Sequence, residues 1–202
     1  MKLETKLLLL TCVAGTALLT GCANTQRSNL YILYPAQTES KELAANAKLK
    51  ESTIAIGKVS IPGYLERPLV VTKVNEHELS YSEFRRWAGS LRENIRHVVH
   101  LDIADSLSSD NVVESRLVYG SDTDYIIDIN ILDMSGTLGE KANLDVRWSI
   151  HSKAKDSKVI TDTEHLSVEL TQPGYDAYVI AQSRMLAELC NKISQVLVKT
   201  VK

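Results

Sequence analysis

Three stretches of strict two-residue alternation, set between two helical stripes, are what most constrain how this chain can fold. Tyr125, Ile127, Ile129 and Ile131 alternate with Ile126, Asp128, Asn130 and Leu132. Leu144, Val146, Trp148 and Ile150 alternate with Asp145, Arg147 and Ser149, and Leu166, Val168 and Leu170 with His165, Ser167 and Glu169. A period of two sends successive side chains to opposite faces of a strand, so each segment has a covered face and a wetter one, as in a largely antiparallel sheet. A one-residue slip would expose every core side chain, so the apolar positions of 144–150 must face those of 164–170. A three-residue loop, Asp156-Ser157-Lys158, achieves this by pairing Trp148 with Leu166 and Val146 with Val168.

The helical stripes complete the class. Ser82 reads as an N-cap with Glu83 in the first turn, where an acidic side chain favours the helix dipole. From there Phe84, Trp87, Leu91, Ile95 and Val98, then Val99, Ile103 and Leu107, recur at helical spacing, with Arg85, Arg92, Glu93, Arg96 and His100 on the other side. Pro173-Gly174 ends the last strand, and a second helix runs from about Tyr175 to Lys199 on a stripe of Val179, Leu186, Leu189, Ile193, Val196 and Leu197. Earlier in the chain, strands are expected at Leu30 to Tyr34 (stopped by Pro35), Thr53 to Ser60, Leu69 to Val74 and Glu78 to Tyr81. Gln37 to Ser52 is polar and reads either as a surface loop or as a frayed helix. The order strands, helix, strands, helix predicts an α+β two-layer sandwich over residues 30–202: a mixed or antiparallel sheet covered on one face by two long helices.

The N-terminus decides where such a domain would sit. Lys2 and Lys6 form a basic head, Leu7 to Leu19 an apolar core too short to span a bilayer, and Leu19-Thr20-Gly21-Cys22 a closure that looks like a bacterial lipobox. Residues 1–21 are therefore expected to be a signal peptide and Cys22 the lipidated residue, Gly21 giving the peptidase access. The competing reading makes Cys22 an ordinary residue after a secretory signal. Residues 22–29 hold the lipidated cysteine and a short tether; at about 3.4 Å per residue, Ala23 to Asn29 reaches at most roughly 24 Å. Each buried acyl methylene contributes about 0.8 kcal/mol, so several chains on one cysteine hold the protein near-permanently. Ala23 after the cysteine, by resemblance to sorted lipoproteins, favours the periplasmic face of the outer membrane. Of three cysteines, Cys12 leaves with the signal and Cys22 is acylated, so Cys190 has no disulfide partner. A net charge of −2 without a basic block gives no basis for binding nucleic acid or anionic headgroups.

Candidate chemistry is sparse. His97 and His100 have a helical spacing that can share a metal, but no cysteine or carboxylate is placed to complete the set, and a solvated helix face accounts for both. His151 and His165 would lie close across the expected hairpin without a third ligand. Cys190 sits well inside its helix beside Leu189 and Ile193, as a small hydrophobe does, and not at a helix N-terminus where a thiol is activated. No phosphate-binding glycine loop or nucleophile elbow occurs. The reading assigns no catalytic residue, no cofactor and no metal. Ile61 to Pro68 stands apart: Tyr64, Leu65 and Arg67 lie between two prolines, either as a bulge that plugs one end of the core with Tyr64 and Leu65 or as a presented surface.

Taken together, the lipobox at Cys22, Leu30-Tyr31-Ile32-Leu33, Gly57-Lys58-Val59-Ser60-Ile61-Pro62, Tyr64-Leu65-Glu66-Arg67-Pro68 and Glu83-Phe84-Arg85-Arg86-Trp87-Ala88 resemble the PqiC/YmbA-type family of ABC-type transport auxiliary lipoproteins. That family tends to have Tyr-Leu-Asp-Arg-Pro at 64–68, and often an acidic residue and proline where this chain has Gly89-Ser90. The resemblance implies a non-enzymatic accessory role in intermembrane lipid transport, with an MCE-domain protein of the same system as partner. Tyr64, Leu65, Arg67 and Pro68 are the expected contact residues, toward that partner or toward a second copy of the chain in a homo-oligomer. The alternative is a periplasmic lipoprotein that activates or scaffolds an envelope enzyme.

Overall fold

The computed structural model describes residues 27–36, 47–114, 123–153 and 159–201. Its elements are strand β1 (Asn29–Tyr31), the short helix α1 (Ala47–Glu51), β2 (Ile54–Ser60), a 3₁₀ turn (Gly63–Leu65), β3 (Leu69–Asn75), β4 (Glu78–Trp87), helix α2 (Leu91–Leu107), β5 (Val112–Glu114), β6 (Tyr125–Thr137), β7 (Lys141–Ser152), β8 (Ile160–Glu169) and helix α3 (Tyr175–Thr200). The expected α+β architecture is present, built from two sheets: β1-β4-β3, and a mixed five-stranded sheet ordered β5-β2-β6-β7-β8. β5 and β6 both run parallel to β2, whereas β6, β7 and β8 are antiparallel neighbours. Helices α2 and α3 pack side by side, α2 over β2 and β5 and α3 over β7 and β8, while β3 lies against β6.

The alternation read from the sequence becomes the core. Ile127, Ile129 and Ile131 pair with Ile150, Trp148 and Val146, and all six are buried. Against them stand Ile95, Val98, Val99 and Ile103 of α2 and Leu186, Leu189, Ile193 and Leu197 of α3, also buried. A bulge between Ile131 and Asp133 then changes the phase of β6: Leu132 turns outward and Met134 turns inward, opposite Leu144. An extra residue in one strand does this by giving two residues to one partner position. β2 carries a second irregularity between Ile56 and Val59. There Gly57 is required, because a Cβ would stand 2.3 Å from Asp128 Oδ1 and 2.7 Å from Ile126 Cγ2. The same carboxylate accepts the N–H of Lys58 at 2.7 Å.

Three expectations need correction. The first long helix starts at Leu91 and not after Ser82, because residues 82–87 continue β4, where Arg85, Arg86 and Trp87 pair in parallel with Asn29, Leu30 and Tyr31. The cap is Ser90, whose side chain accepts the N–H of Glu93 at 3.4 Å; Ser90-Leu-Arg-Glu93 is the spacing of a capping box. The β7–β8 register also differs. Trp148 lies opposite Asp162 and Val146 opposite Glu164, while Leu144 pairs with Leu166 and Ala142 with Val168. The displacement is an even number of residues, so Trp148, Val146 and Leu166 keep their buried face; residues 154–158, where the three-residue loop was expected, lie outside the described residues. Finally, Leu30 to Tyr34 is a strand only as far as Tyr31. Beyond it the Asn94 side chain supplies the strand-like pair of bonds, accepting from Leu33 N–H at 2.7 Å and donating to Leu33 C=O at 3.1 Å.

The covered face of β7 yields a direct stability test. Trp148→Ala should cost about 3 to 5 kcal/mol, as large aromatic truncations in packed cores do. The exposed Arg147, whose Nε reaches Thr163 Oγ1 only at 3.4 Å, should cost well under 1 kcal/mol on replacement by Ala. Urea melts of the two variants check the phase of the strand.

Candidate functional site

Around the Ile61–Pro68 segment the chain leaves β2, makes one 3₁₀ turn and enters β3. Pro62 fixes the entry: its carbonyl accepts from Leu65 N–H at 3.0 Å, and Gly63 C=O accepts from Glu66 N–H at 3.3 Å. Leu65 is buried, so it secures the turn by packing and presents nothing to solvent. Tyr64 is half-buried and donates its hydroxyl to Asp133 Oδ1 at 2.5 Å; the hydroxyl accepts from Met134 N–H at 3.4 Å. Burial first, and then the Asp133 carboxylate that accepts its proton, push the Tyr64 phenol above its ordinary range. Asp133 is available because of the β6 bulge, and it also accepts from Ser135 Oγ and lies 3.8 Å from Lys73 Nζ.

The second half of the segment faces outward. Glu66 forms an ion pair with Arg92 in the first turn of α2. Pro68 is exposed, and its carbonyl accepts the N–H of Trp87 at 2.9 Å, tying the segment to the end of β4. Arg67 is exposed with its guanidinium 5.8 Å from the centre of the Tyr81 ring, itself 48% exposed. Among the described residues Arg67 makes no ion pair. Of the four residues named from the sequence, Tyr64 and Leu65 thus hold the turn, while Arg67 and Pro68 form a surface that Tyr81 extends. Tyr81 was legible only as a strand residue; its place over Arg67 follows from the β3–β4 hairpin, which pairs it with Val71. Cys22 and the expected signal peptide, residues 1–21, lie outside the described residues.

The remaining candidates separate cleanly. His151 and His165 are not neighbours, because the register places His165 beside Asp145 (2.9 Å) and His151 beside Asp128 (3.3 Å) and Ser149 (2.9 Å). Cys190 is buried with Sγ 4.0 Å from Val99 C=O, and burial raises its thiol well above the ordinary range, so it is held protonated. His97 and His100 share one side of α2 as expected, and the edge strand β5 brings Glu114 to them. Nothing in the sequence pointed to Glu114, since its approach depends on where β5 docks beside β2.

These features define a class: an α+β domain whose polar side chains tie its elements together. The family described as ABC-type transport auxiliary lipoprotein component matches residues 31–194, and the chain belongs to that family. Membership carries a membrane-anchored envelope location, and no helix among the described residues is long and apolar enough to cross a membrane. The fold is similar to that of protein XCC0632 from Xanthomonas campestris, of family DUF330, with TM-score 0.60 and 13% identity over 87% of this chain and 95% of that one. A crystal structure of an uncharacterised protein is similar with TM-score 0.69 and 17% identity, over 85% of this chain and 99% of that one. Among proteins of curated function, none matches this sequence.

Asp102 gives this domain a pH signature. It is buried on α2, its Oδ2 has no hydrogen-bond partner, and burial, reinforced by Asp105, pushes its carboxyl up from 3.8 to about 7. The folded state therefore holds this proton more tightly than the unfolded state. The stability so contributed is fully present below about pH 3.8 and is lost as the pH rises to about 7. Asp102→Asn should gain on the wild type between pH 5 and pH 8, ending about 1–3 kcal/mol more stable at pH 8, by urea melts at both values. A wild-type-to-variant difference that does not change with pH would contradict the assignment.

Proposed function

We propose that this chain is an outer-membrane-anchored accessory lipoprotein of an MCE-type intermembrane lipid transport system, acting by docking and without catalysis. The observation that carries the reading is the match over residues 31–194 to a transport auxiliary lipoprotein family, to which Leu19-Thr20-Gly21-Cys22, read as a lipobox, adds an anchor. Two features of the surface support it. Leu30, Ile32 and Tyr34 are 66%, 56% and 72% exposed and begin eight residues after Cys22 in the sequence, apolar side chains that support a role close to the anchor. Arg67, Pro68 and Tyr81 present a cation, a fixed backbone and an aromatic ring together, residue types that anchor interfaces. The prolines and the Tyr64–Asp133 bond hold that surface in place beforehand, so binding orders little additional chain.

The docking role separates the two halves of the segment. Arg67→Ala should leave the melting curve within about 0.5 kcal/mol of wild type, as exposed substitutions do, and reduce recovery of the MCE-domain protein in pull-downs from solubilised envelopes. Tyr64→Phe, which strips the bond to Asp133, should instead cost about 1–3 kcal/mol of stability. Undiminished recovery with Arg67→Ala would remove this surface from the interface. Recovery of an envelope enzyme in place of the MCE-domain protein would favour an activator or scaffold role.

A further inference from the structure

Outside the Tyr64–Pro68 surface, α2 and the edge strand β5 bring together two imidazoles and a carboxylate. His97 Nδ1 lies 3.3 Å from Glu114 Oε1, and His100 Nδ1 lies 4.0 Å from the same oxygen. One ligand atom from each residue falls within 4.8 Å of the other two. The edge of a tetrahedron with metal–nitrogen bonds of ~2.0–2.1 Å is ~3.3–3.4 Å, so the His97–Glu114 pair already has that spacing and the wider pairs must close toward a shared ion.

His100 carries the argument. Its Nε2 lies 2.9 Å from the Val112 carbonyl, which can only accept, so Nε2 carries a proton and, in the neutral imidazole, Nδ1 holds the lone pair left for a metal. That Nδ1 is shielded from solvent and has no hydrogen-bond partner. An imidazole whose outer N–H is fixed by a backbone carbonyl while its other nitrogen points at a carboxylate is the arrangement that second-shell bonds create around a bound metal. An ion pair between His97 and Glu114 alone would account for those two side chains but would leave His100 Nδ1 unsatisfied.

We infer that His97, His100 and Glu114 bind one first-row divalent cation, with Zn²⁺ the occupant that a two-imidazole, one-carboxylate set suits. Glu114 is the last residue of β5 and the two histidines are on α2, so the ion ties the sheet edge to the helix. Three protein ligands leave a further coordination position for water or for a donor from a partner. His97 is the most exposed member, and with Tyr31, Ile32, Trp87, Leu91 and Asn94 it lines a groove of about 310 Å³ beside the cluster.

The test uses the full-length chain in detergent, without a polyhistidine tag, stripped with chelator and titrated with ZnCl₂ in a calorimeter. Wild type should take up one equivalent, and Co²⁺ in place of Zn²⁺ should give the visible absorption of a four-coordinate site. His97→Ala and Glu114→Gln should each weaken binding by at least the ~10–100-fold that loss of a second-shell partner costs. His165→Ala, an exposed histidine paired with Asp145 outside the cluster, should bind as wild type. Both ligand variants alter partly exposed side chains, and metal-free melting curves matching wild type show that the loss is not one of fold. No saturable uptake by wild type, or undiminished uptake by His97→Ala and Glu114→Gln, would overturn the site.

Discussion

The rest of this structure depends on one constraint: β6 and β7 must keep their large apolar side chains on a single face along the whole of their ladder. Ile127, Ile129 and Ile131 opposite Ile150, Trp148 and Val146 form the middle of the covered sheet face, which continues into β2 and β5 beneath α2 and into β8 beneath α3. That face is continued past the bulge at Leu132 only because the extra residue swaps the inward set from odd to even positions, bringing in Met134 opposite Leu144. The same irregularity makes Asp133 available to Tyr64. A packing requirement in the sheet thereby fixes the turn that precedes β3, and with it the exposed Arg67 and Pro68.

Polar side chains in this domain mostly do the work of joints. Asp128 serves the bulge of β2 through Lys58 N–H, Asn94 extends β1 past its last strand residue, and Glu66 ties the 3₁₀ turn to α2. Gln182 on α3 is fully buried and donates to the carbonyls of Ser135 and Asn143, fastening the helix to the closed end of the β6–β7 hairpin. Hydrogen bonds of this kind contribute about 1 kcal/mol each, but leaving any of the buried groups unpaired would cost more, so they select one arrangement of the elements. The side chains of Arg67, Tyr81, Leu30, Ile32 and Tyr34 are exposed and are the ones our docking proposal uses.

Much of this was legible in the sequence where periodicity was long. The alternation at 125–132 and 144–150 fixed which residues are buried, and the stripe from Tyr175 onward fixed α3 almost to the residue. The start of α2 was misread because Phe84 and Trp87 fall at helical spacing with Leu91, while the pairing of Arg85 to Trp87 with β1 is a long-range fact that no local pattern displays. Ser90 and Glu93 did carry the local signal for the true start. The β7–β8 register escaped because every even displacement satisfies the same two-residue period. At the candidate sites, Tyr64 and Arg67 could be named from their place between prolines. Tyr81, Asp133 and Glu114 could not, since each arrives from a different strand.

We propose, as the central claim, that this domain serves as an accessory component held beside a membrane by its lipid anchor. Its most direct test is the replacement Cys22→Ala, followed by labelled-palmitate incorporation, membrane fractionation and a melting curve of the purified chain. The account expects a domain that melts as wild type does, takes up no palmitate and no longer sediments with the outer membrane. Equal labelling and equal membrane recovery of variant and wild type would contradict it.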